Sequence, residues 1–372
     1  MFEWFHPLYL ADKAANFSTN VSPTDRRLYP HQVPTSTQTN PSSNQIPQPR
    51  SAQQAFVIEK VLPELRDLVE RFQPDVLWSD GDGEATSEYW RSQDFLAWLY
   101  NDSPVRESVV TNDRWGAGCP CTHGGFFSCD DRFVPGALQP HKYESCQTID
   151  RWSWGYRREA RIEDFLSLHD ILRLLVSVVA TNGNLLLNVA PDHLGIIHPV
   201  FEERLRGLGA WLAVNGAAIY ATRPWDRTQS DPASPETVWY TTAAGGELLY
   251  AILLEWPAAA DNDGEGEAAP LLLRLASPKT PRAVVPGGGG GGGGGVTVAA
   301  AARGLRHSTT EAEAEGRGPP TVSLLGYGDP LVPWLAAEDG EEGIVLDLTA
   351  LARDARVPKR EWAWAFVLEG FE

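Results

Sequence analysis

Two features of this 372-residue chain could do chemistry: a carboxylate that follows a short apolar run, and a tight cluster of cysteines. Asp80 comes directly after Asp75–Ser79, which reads as a strand, and directly before the turn Gly81-Asp82-Gly83. In folds of alternating strands and helices, reactive side chains project from strand ends, so a carboxylate there is placed for nucleophilic or general-base work. An Asp before Gly equally makes an Asx-turn, and residue types alone leave both readings open. Cys119, Cys121 and Cys129, with His123, are donor types that suit zinc. Their spacing is irregular, and a local disulfide or a buried thiol accounts for them as well.

The elements that must position these residues fall into two patterns. Between 55 and 225 helical and strand patterns alternate. Leu62, Leu65, Leu68, Val69 and Phe72 recur at helical spacing until Pro74 stops them, and the strand 75–79 follows. A helix is expected near Asp94–Tyr100, strands at Val109–Asn112 and Tyr143–Ile149, a helix over Ile162–Ala180 and a strand from Asn184 to Val189. A last helix carries Phe201, Leu205, Leu208 and Leu212 and ends near Asn215-Gly216. Apolar strands alternating with helices imply a parallel sheet covered on both faces or closed into a barrel. From about 232 to 372 strands follow one another without helices: 238–241, 248–256, 271–275, 322–325, 344–348 and 362–368. In the last, Trp362, Trp364 and Phe366 alternate with Ala363 and Ala365, so one face is bulky and the other small; the region reads as an antiparallel β-sandwich. Two stretches stand outside this scheme. Residues 16–54 are rich in Ser, Thr, Asn, Gln and Pro, and 286–318 contain the glycine run 287–295; both have the composition of disordered insertions.

A formal net charge of −18 argues against nucleic acid or an anionic membrane surface as partner, because both are bound largely through Lys and Arg. No apolar run reaches the ~18 residues of a membrane span, and the start, Met1–Pro7, lacks the basic and apolar regions of a signal peptide. The 14 tryptophans supply core volume and, where exposed, flat faces on which a sugar ring can stack.

The segments Glu3–Tyr9, Leu77–Gly81, Phe95–Pro104, Asn112–Gly116, Trp154–Arg158 and Leu186–Pro191 resemble glycoside hydrolase family 29, the α-L-fucosidases of the lysosomal animal type. Pro135, Leu138, Lys142-Tyr143-Glu144 and Cys146 follow the spacing of the family's signature, with Tyr143 where Trp is usual. The resemblance runs from Glu3 to about Trp225 and more weakly to Phe371. It implies a (β/α)8 barrel over 1–225 followed by a β-sandwich over 232–372, and a retaining hydrolase that removes terminal α-L-fucose from glycoconjugates by double displacement. It implies no cofactor and no metal, fucosylated glycans or glycoproteins as partners, a lysosomal or secreted location, and leaves a homo-oligomer open. Asp80 matches the family's nucleophile. Arg114 matches an arginine that holds nucleophile and sugar. For the acid/base the resemblance offers both Asp131 and Glu144, with Asp131 preferred because a loop can reach over the sugar and Glu144 then supporting it. His6 and Trp4, at the end of a strand expected at Phe2–Phe5, are candidates to face the sugar, and a structural role serves His6 equally.

The sequence departs from the family in two respects. A closed barrel needs eight strands, and counting the one at Phe2–Phe5 this chain is expected to supply five. The expectation is therefore a carboxyl-terminal part of the catalytic barrel, from a truncated reading frame. Gly83 stands where animal-type relatives carry Trp. These departures keep alive a rival reading, a catalytically silent fragment that binds glycans.

Overall fold

The computed structural model describes residues 6–16, 54–257, 270–279, 320–327, 331–337, 342–358 and 362–371. The strand expected at Phe2–Phe5 and almost all of the two compositionally biased stretches lie outside these residues. The chain divides into two compact units, Met1–Asp130 and Asp131–Glu372. The change of pattern near 232 falls inside the second unit.

The first unit contains α1 (Pro7–Asn16), a π-helical turn at Val57–Val61 that runs into α2 (Leu62–Phe72), β1 (Val76–Leu77), α3 (Ser87–Trp90), α4 (Ser92–Asn101) and β2 (Val110–Thr111). α2 stops where Gln73 turns left-handed at φ 45°, just before Pro74. Its buried stripe is narrower than the leucine spacing suggests: Val69 is fully buried, while Leu68 and Phe72 are exposed. Val69 packs with Leu77, Phe95, Leu99, Val109 and Trp115. This small core grips β1 and β2 from the helix side, and the two strands pair in parallel with Val76 opposite Val110 and Leu77 opposite Thr111.

In the second unit β3 (Tyr143–Thr148) and β4 (Gly183–Asn188) form another parallel pair, from Tyr143↔Gly183 to Thr148↔Asn188. The connecting helix α5 (Leu168–Ala180) starts later than the pattern predicts. Residues 162–164 make a separate 3-10 turn, and a capping box at Ser167 and Asp170 opens the helix, each side chain accepting from the other's backbone N–H. α6 (Pro199–Asn215) follows, and Gly216 at its end is right-handed and leads into a further 3-10 turn.

Beyond it, β5 (Thr222–Pro224), β6 (Val238–Ala243), β7 (Leu248–Leu253), β12 (Trp364–Glu369) and β9 (Thr321–Leu324) form an antiparallel sheet in the order β5-β6-β7-β12-β9. A second antiparallel sheet has the order β10-β11-β8, from β10 (Trp334–Ala336), β11 (Ile344–Asp347) and β8 (Leu272–Leu275), and α7 (Thr349–Arg353) follows β11. The sheets share one core in which Tyr240, Trp364, Phe366 and Leu368 face Leu275, Ile344 and Leu346. The small face of β12 is buried too: Ala363 and Ala365 pack with Trp211 of α6 and Leu172 and Val176 of α5. The bulky-and-small alternation is thus a two-sided fit, with α5 and α6 laid against the five-stranded sheet. Trp211 seals it by donating from its indole N–H to the Ala363 carbonyl at 2.8 Å.

Candidate active site

Because β1 and β2 run in register, Asp80 and Arg114 each follow their strand's last residue by the same interval and emerge side by side at its carboxyl end. Arg114 Nη1 donates to Asp80 Oδ1 at 2.8 Å. The Arg114 side chain is only 10% exposed and that of Asp80 60%, so the guanidinium is fixed in the protein while the carboxylate opens outward. Trp78 lies under the guanidinium, with Cζ 5.2 Å from the ring centroid, a cation–π contact. The residue between, Ser79, is tied to the next strand: its N–H donates to Asn112 Oδ1 at 3.0 Å and its carbonyl accepts from Asn112 Nδ2 at 2.7 Å. Gly81 then reverses the chain at φ 79°, a left-handed conformation that favours glycine. The partner of the Asp80 carboxylate is Arg114 rather than the amides of this turn, which decides against the Asx-turn reading.

Asp82 turns inward. Its carboxylate accepts from the Gly116 N–H at 2.8 Å, and its carbonyl accepts from the Trp90 indole. Burial pushes the Asp82 carboxyl above its ordinary range, and the Gly116 hydrogen bond opposes this less strongly. Asp113, fully buried beside Arg114, collects four donors. Ser128 gives its N–H at 3.0 Å and its hydroxyl at 2.5 Å to Oδ1, and Cys121 and Cys129 give their N–H groups to Oδ2 at 2.7 and 3.2 Å. The Ser128 oxygen in turn accepts from Arg114 Nε at 3.0 Å. Cys121 and Cys129 form a disulfide. Burial and the nearby Asp82 and Asp113 carboxylates raise the Cys119 thiol.

The other candidates lie in the second unit. Glu144 is the second residue of β3, half-buried, opposite Asn184. Asp131 is exposed in the turn before β3. Its neighbour Arg132 donates its N–H to the Cys146 carbonyl at 2.9 Å and, from Nη1, to the Arg151 carbonyl at 2.6 Å beyond the carboxyl end of β3. That end is well ordered by polar groups. Asp150, buried, accepts from Arg157 Nε at 2.8 Å and Nη2 at 2.9 Å, and Asn188 Nδ2 donates to Thr148 Oγ1 and the Trp154 carbonyl. Trp152 stands there 71% exposed. Tyr143, in its unusual signature position, is buried with its hydroxyl 2.7 Å from Thr181 Oγ1, and its ring leaves no room for a side chain at Gly183.

A model of the α-L-fucosidase family matches residues 1–217. The chain belongs to the α-L-fucosidase family. The plasma α-L-fucosidase of Rattus norvegicus is 50% identical over 257 residues, 69% of this chain and 48% of the relative. The α-L-fucosidase of Branchiostoma floridae is 48% identical over 370 residues, 100% of this chain and 62% of the relative. The chain therefore spans about half to three-fifths of the length of these fucosidases. Among solved structures, the Thermotoga maritima α-fucosidase in complex with fucose superposes with a TM-score of 0.55 at 21% identity, over 87% of this chain and 60% of that one, which is a likeness of fold.

Of the positions that the fucosidase resemblance brings forward, the structure joins Asp80 to Arg114 and places Asp131 and Glu144 in the second unit. Trp4 lies outside the described residues. His6 caps α1, its Nδ1 accepting from the Leu8 N–H at 3.2 Å and its ring 5.4 Å from Phe56. A Cβ at Gly83 would meet nothing within 4 Å, so the backbone does not demand glycine there. Arg114 is legible from the sequence, whereas the groups that hold it and Asp80, namely Asn112, Asp113, Ser128 and Trp78, emerge only in the structure. For Asn112 and Asp113 a signal was present: polar residues directly after an apolar strand are costly to bury unless each has a partner.

Proposed function

We propose that this chain supplies the nucleophile, its arginine and the proton donor of a retaining exo-α-L-fucosidase of the (β/α)8 barrel class. The observation that carries the reading is the Arg114–Asp80 pair at the carboxyl ends of adjacent parallel strands, in a chain of this family. Asp80 attacks the anomeric carbon of a terminal α-L-fucosyl group, with Arg114 holding Oδ1 so that the other oxygen faces the sugar. A β-linked fucosyl ester forms as the glycosidic oxygen leaves with a proton from Asp131. The Asp131 carboxylate then deprotonates a water that attacks the same carbon, and α-L-fucose departs with its configuration retained. Asp131 is preferred to Glu144 as proton donor because Arg132 ties its segment toward the carboxyl end of β3, whereas Glu144 sits near the start of that strand. Fucosylated glycans or glycoproteins are the proposed substrates, met in a lysosomal or secreted setting. Among the described residues no helix is long and apolar enough to cross a membrane.

An aryl α-L-fucoside tests these roles. Asp80→Ala lowers turnover about 10³-fold or more, and added azide restores it with β-fucosyl azide as product, because azide then attacks the substrate directly. Asp131→Ala with azide yields α-fucosyl azide through the intact ester. Full activity in Asp80→Ala overturns the nucleophile assignment, and α-azide from Glu144→Ala with unaltered Asp131→Ala moves the acid/base role to Glu144. Exposed Trp152 favours a second reading, glycan binding without turnover. It gains the field if the unsubstituted protein binds fucosylated glycan yet releases no fucose.

A further inference from the structure

The Arg114–Asp80 pair does not stand alone. Arg114 Nε is held by Ser128 Oγ at 3.0 Å, Ser128 Oγ by Asp113 Oδ1 at 2.5 Å, and the second Asp113 oxygen by the amides of Cys121 and Cys129. The two residues that converge on that one oxygen are the two halves of the disulfide, eight positions apart in sequence. Both take positive φ, 59° at Cys121 and 50° at Cys129, a conformation that non-glycine residues rarely adopt and that surrounding structure must enforce. Asp113 and Ser128 are fully buried, and neither reaches the carboxylate that opens outward. Each therefore acts on Asp80 only by fixing the arginine.

We propose that Asp113 and Ser128 are positioning residues for Asp80, and that the Cys121–Cys129 disulfide is the clasp that holds them, making the alignment of the arginine dependent on the redox state of this loop. The inference deepens the proposed fucosidase reading, since it concerns how the nucleophile is aimed. Opening the clasp is a two-electron step. A dithiol reductant loses two hydrogens and closes to its own cyclic disulfide, the Cys121–Cys129 sulfur–sulfur bond breaks, and each sulfur ends as a thiol. Released from one another, the two left-handed residues relax, their amides leave Asp113, and Ser128 no longer fixes Arg114 Nε.

Two readouts on the full chain separate this inference from the fucosidase reading. The first is solvent exchange of the Arg114 Nε–H proton, followed by nuclear magnetic resonance. It speeds up about 10-fold or more in Ser128→Ala, in Asp113→Asn, and after reduction by a dithiol, and returns toward the starting rate in Ser128→Thr, which keeps the hydroxyl. The second is turnover of an aryl α-L-fucoside. In the same proteins kcat falls about 10- to 100-fold and KM rises by a smaller factor, since Arg114, which the family resemblance also places on the sugar, is loosened but not removed. Repeating the reduction in a Cys119→Ser background excludes exchange through the neighbouring thiol. Unchanged Arg114 exchange in Ser128→Ala overturns the relay, and unchanged exchange after reduction overturns the clasp. If the protein releases no fucose while Arg114 exchange responds as stated, the positioning relay stands and the fucosidase reading alone falls.

Discussion

Strand β12 is six residues long with apolar neighbours on both faces, whereas β1 and β2 are two residues each and owe their placement to hydrogen bonds beyond their ends. In β12, Trp364 and Phe366 fill the space between the sheets while Ala365, with Ala363 just before the strand, admits α5 and α6 on the other side. At β1 and β2, Asn112 bonds the Ser79 backbone twice and a buried guanidinium aims an exposed carboxylate. Volume fixes the first region and directional polar bonds fix the second. A strand carried by volume is sensitive to any change of size; a pair carried by polar bonds can leave one carboxylate open to solvent because its neighbours, not the group itself, are buried.

Substitutions on either side separate volume from polar bonding. The largest effect is expected from Trp364→Ala, which empties the centre of the core between the sheets and costs about 3–5 kcal/mol of stability. Denaturant unfolding measures it, and a loss under about 1 kcal/mol would show that the sheets collapse onto the gap. The Asp80→Ala change costs less than this, because that side chain is largely exposed, yet it takes the ion-pair partner from the buried Arg114. Ala365→Leu comes next. It adds three carbons where Trp211 and Leu172 already pack, and overpacking of this kind costs about 1–3 kcal/mol. If thermal unfolding is unaffected, the small face of β12 is not a tight joint.

The smallest effect is a pH dependence on the polar side of the comparison. Asp82 has a folded-state pKa raised above its ordinary 3.8, chiefly by burial. The folded protein therefore holds this proton more tightly than the unfolded chain, a contribution to stability that is complete below 3.8 and lost as pH rises through the folded value. Asp82→Asn removes the titration. Its unfolding midpoint should fall less than the parent's between acid and neutral pH, and parallel curves for the two proteins would dismiss Asp82 as the cause.

Much of the architecture was legible along the chain. The alternation in 362–368 announced a strand with unequal faces, and the apolar runs at 143–149 and 184–189 lie where β3 and β4 formed. Short pieces escaped, among them β5 and β10 at three residues each, because such segments carry too few positions for a period to show. The start of α5 was read about a turn and a half early, since Ile162 and Phe165 fit the helical period while the capping box at Ser167 is a hydrogen-bonded choice that period does not express.

At the site the same division holds. The residue types after the strand at 75–79 and the family resemblance brought forward Asp80, Arg114, Asp131 and Glu144 from sequence alone, because reactive groups and signature spacings are one-dimensional facts. The choice between a turn-forming Asp80 and one paired with Arg114 was made only when β1 and β2 lay in register, since residues 34 apart in sequence meet through strand pairing and nothing local. The clustered cysteines were visible at once, but that Cys121 bonds to Cys129 was decided by the fold of the loop that brings them together. Side-chain chemistry belongs to the sequence; which partners each group finds, and so which chemistry it is free to perform, belongs to the packing that brings distant residues within bonding distance.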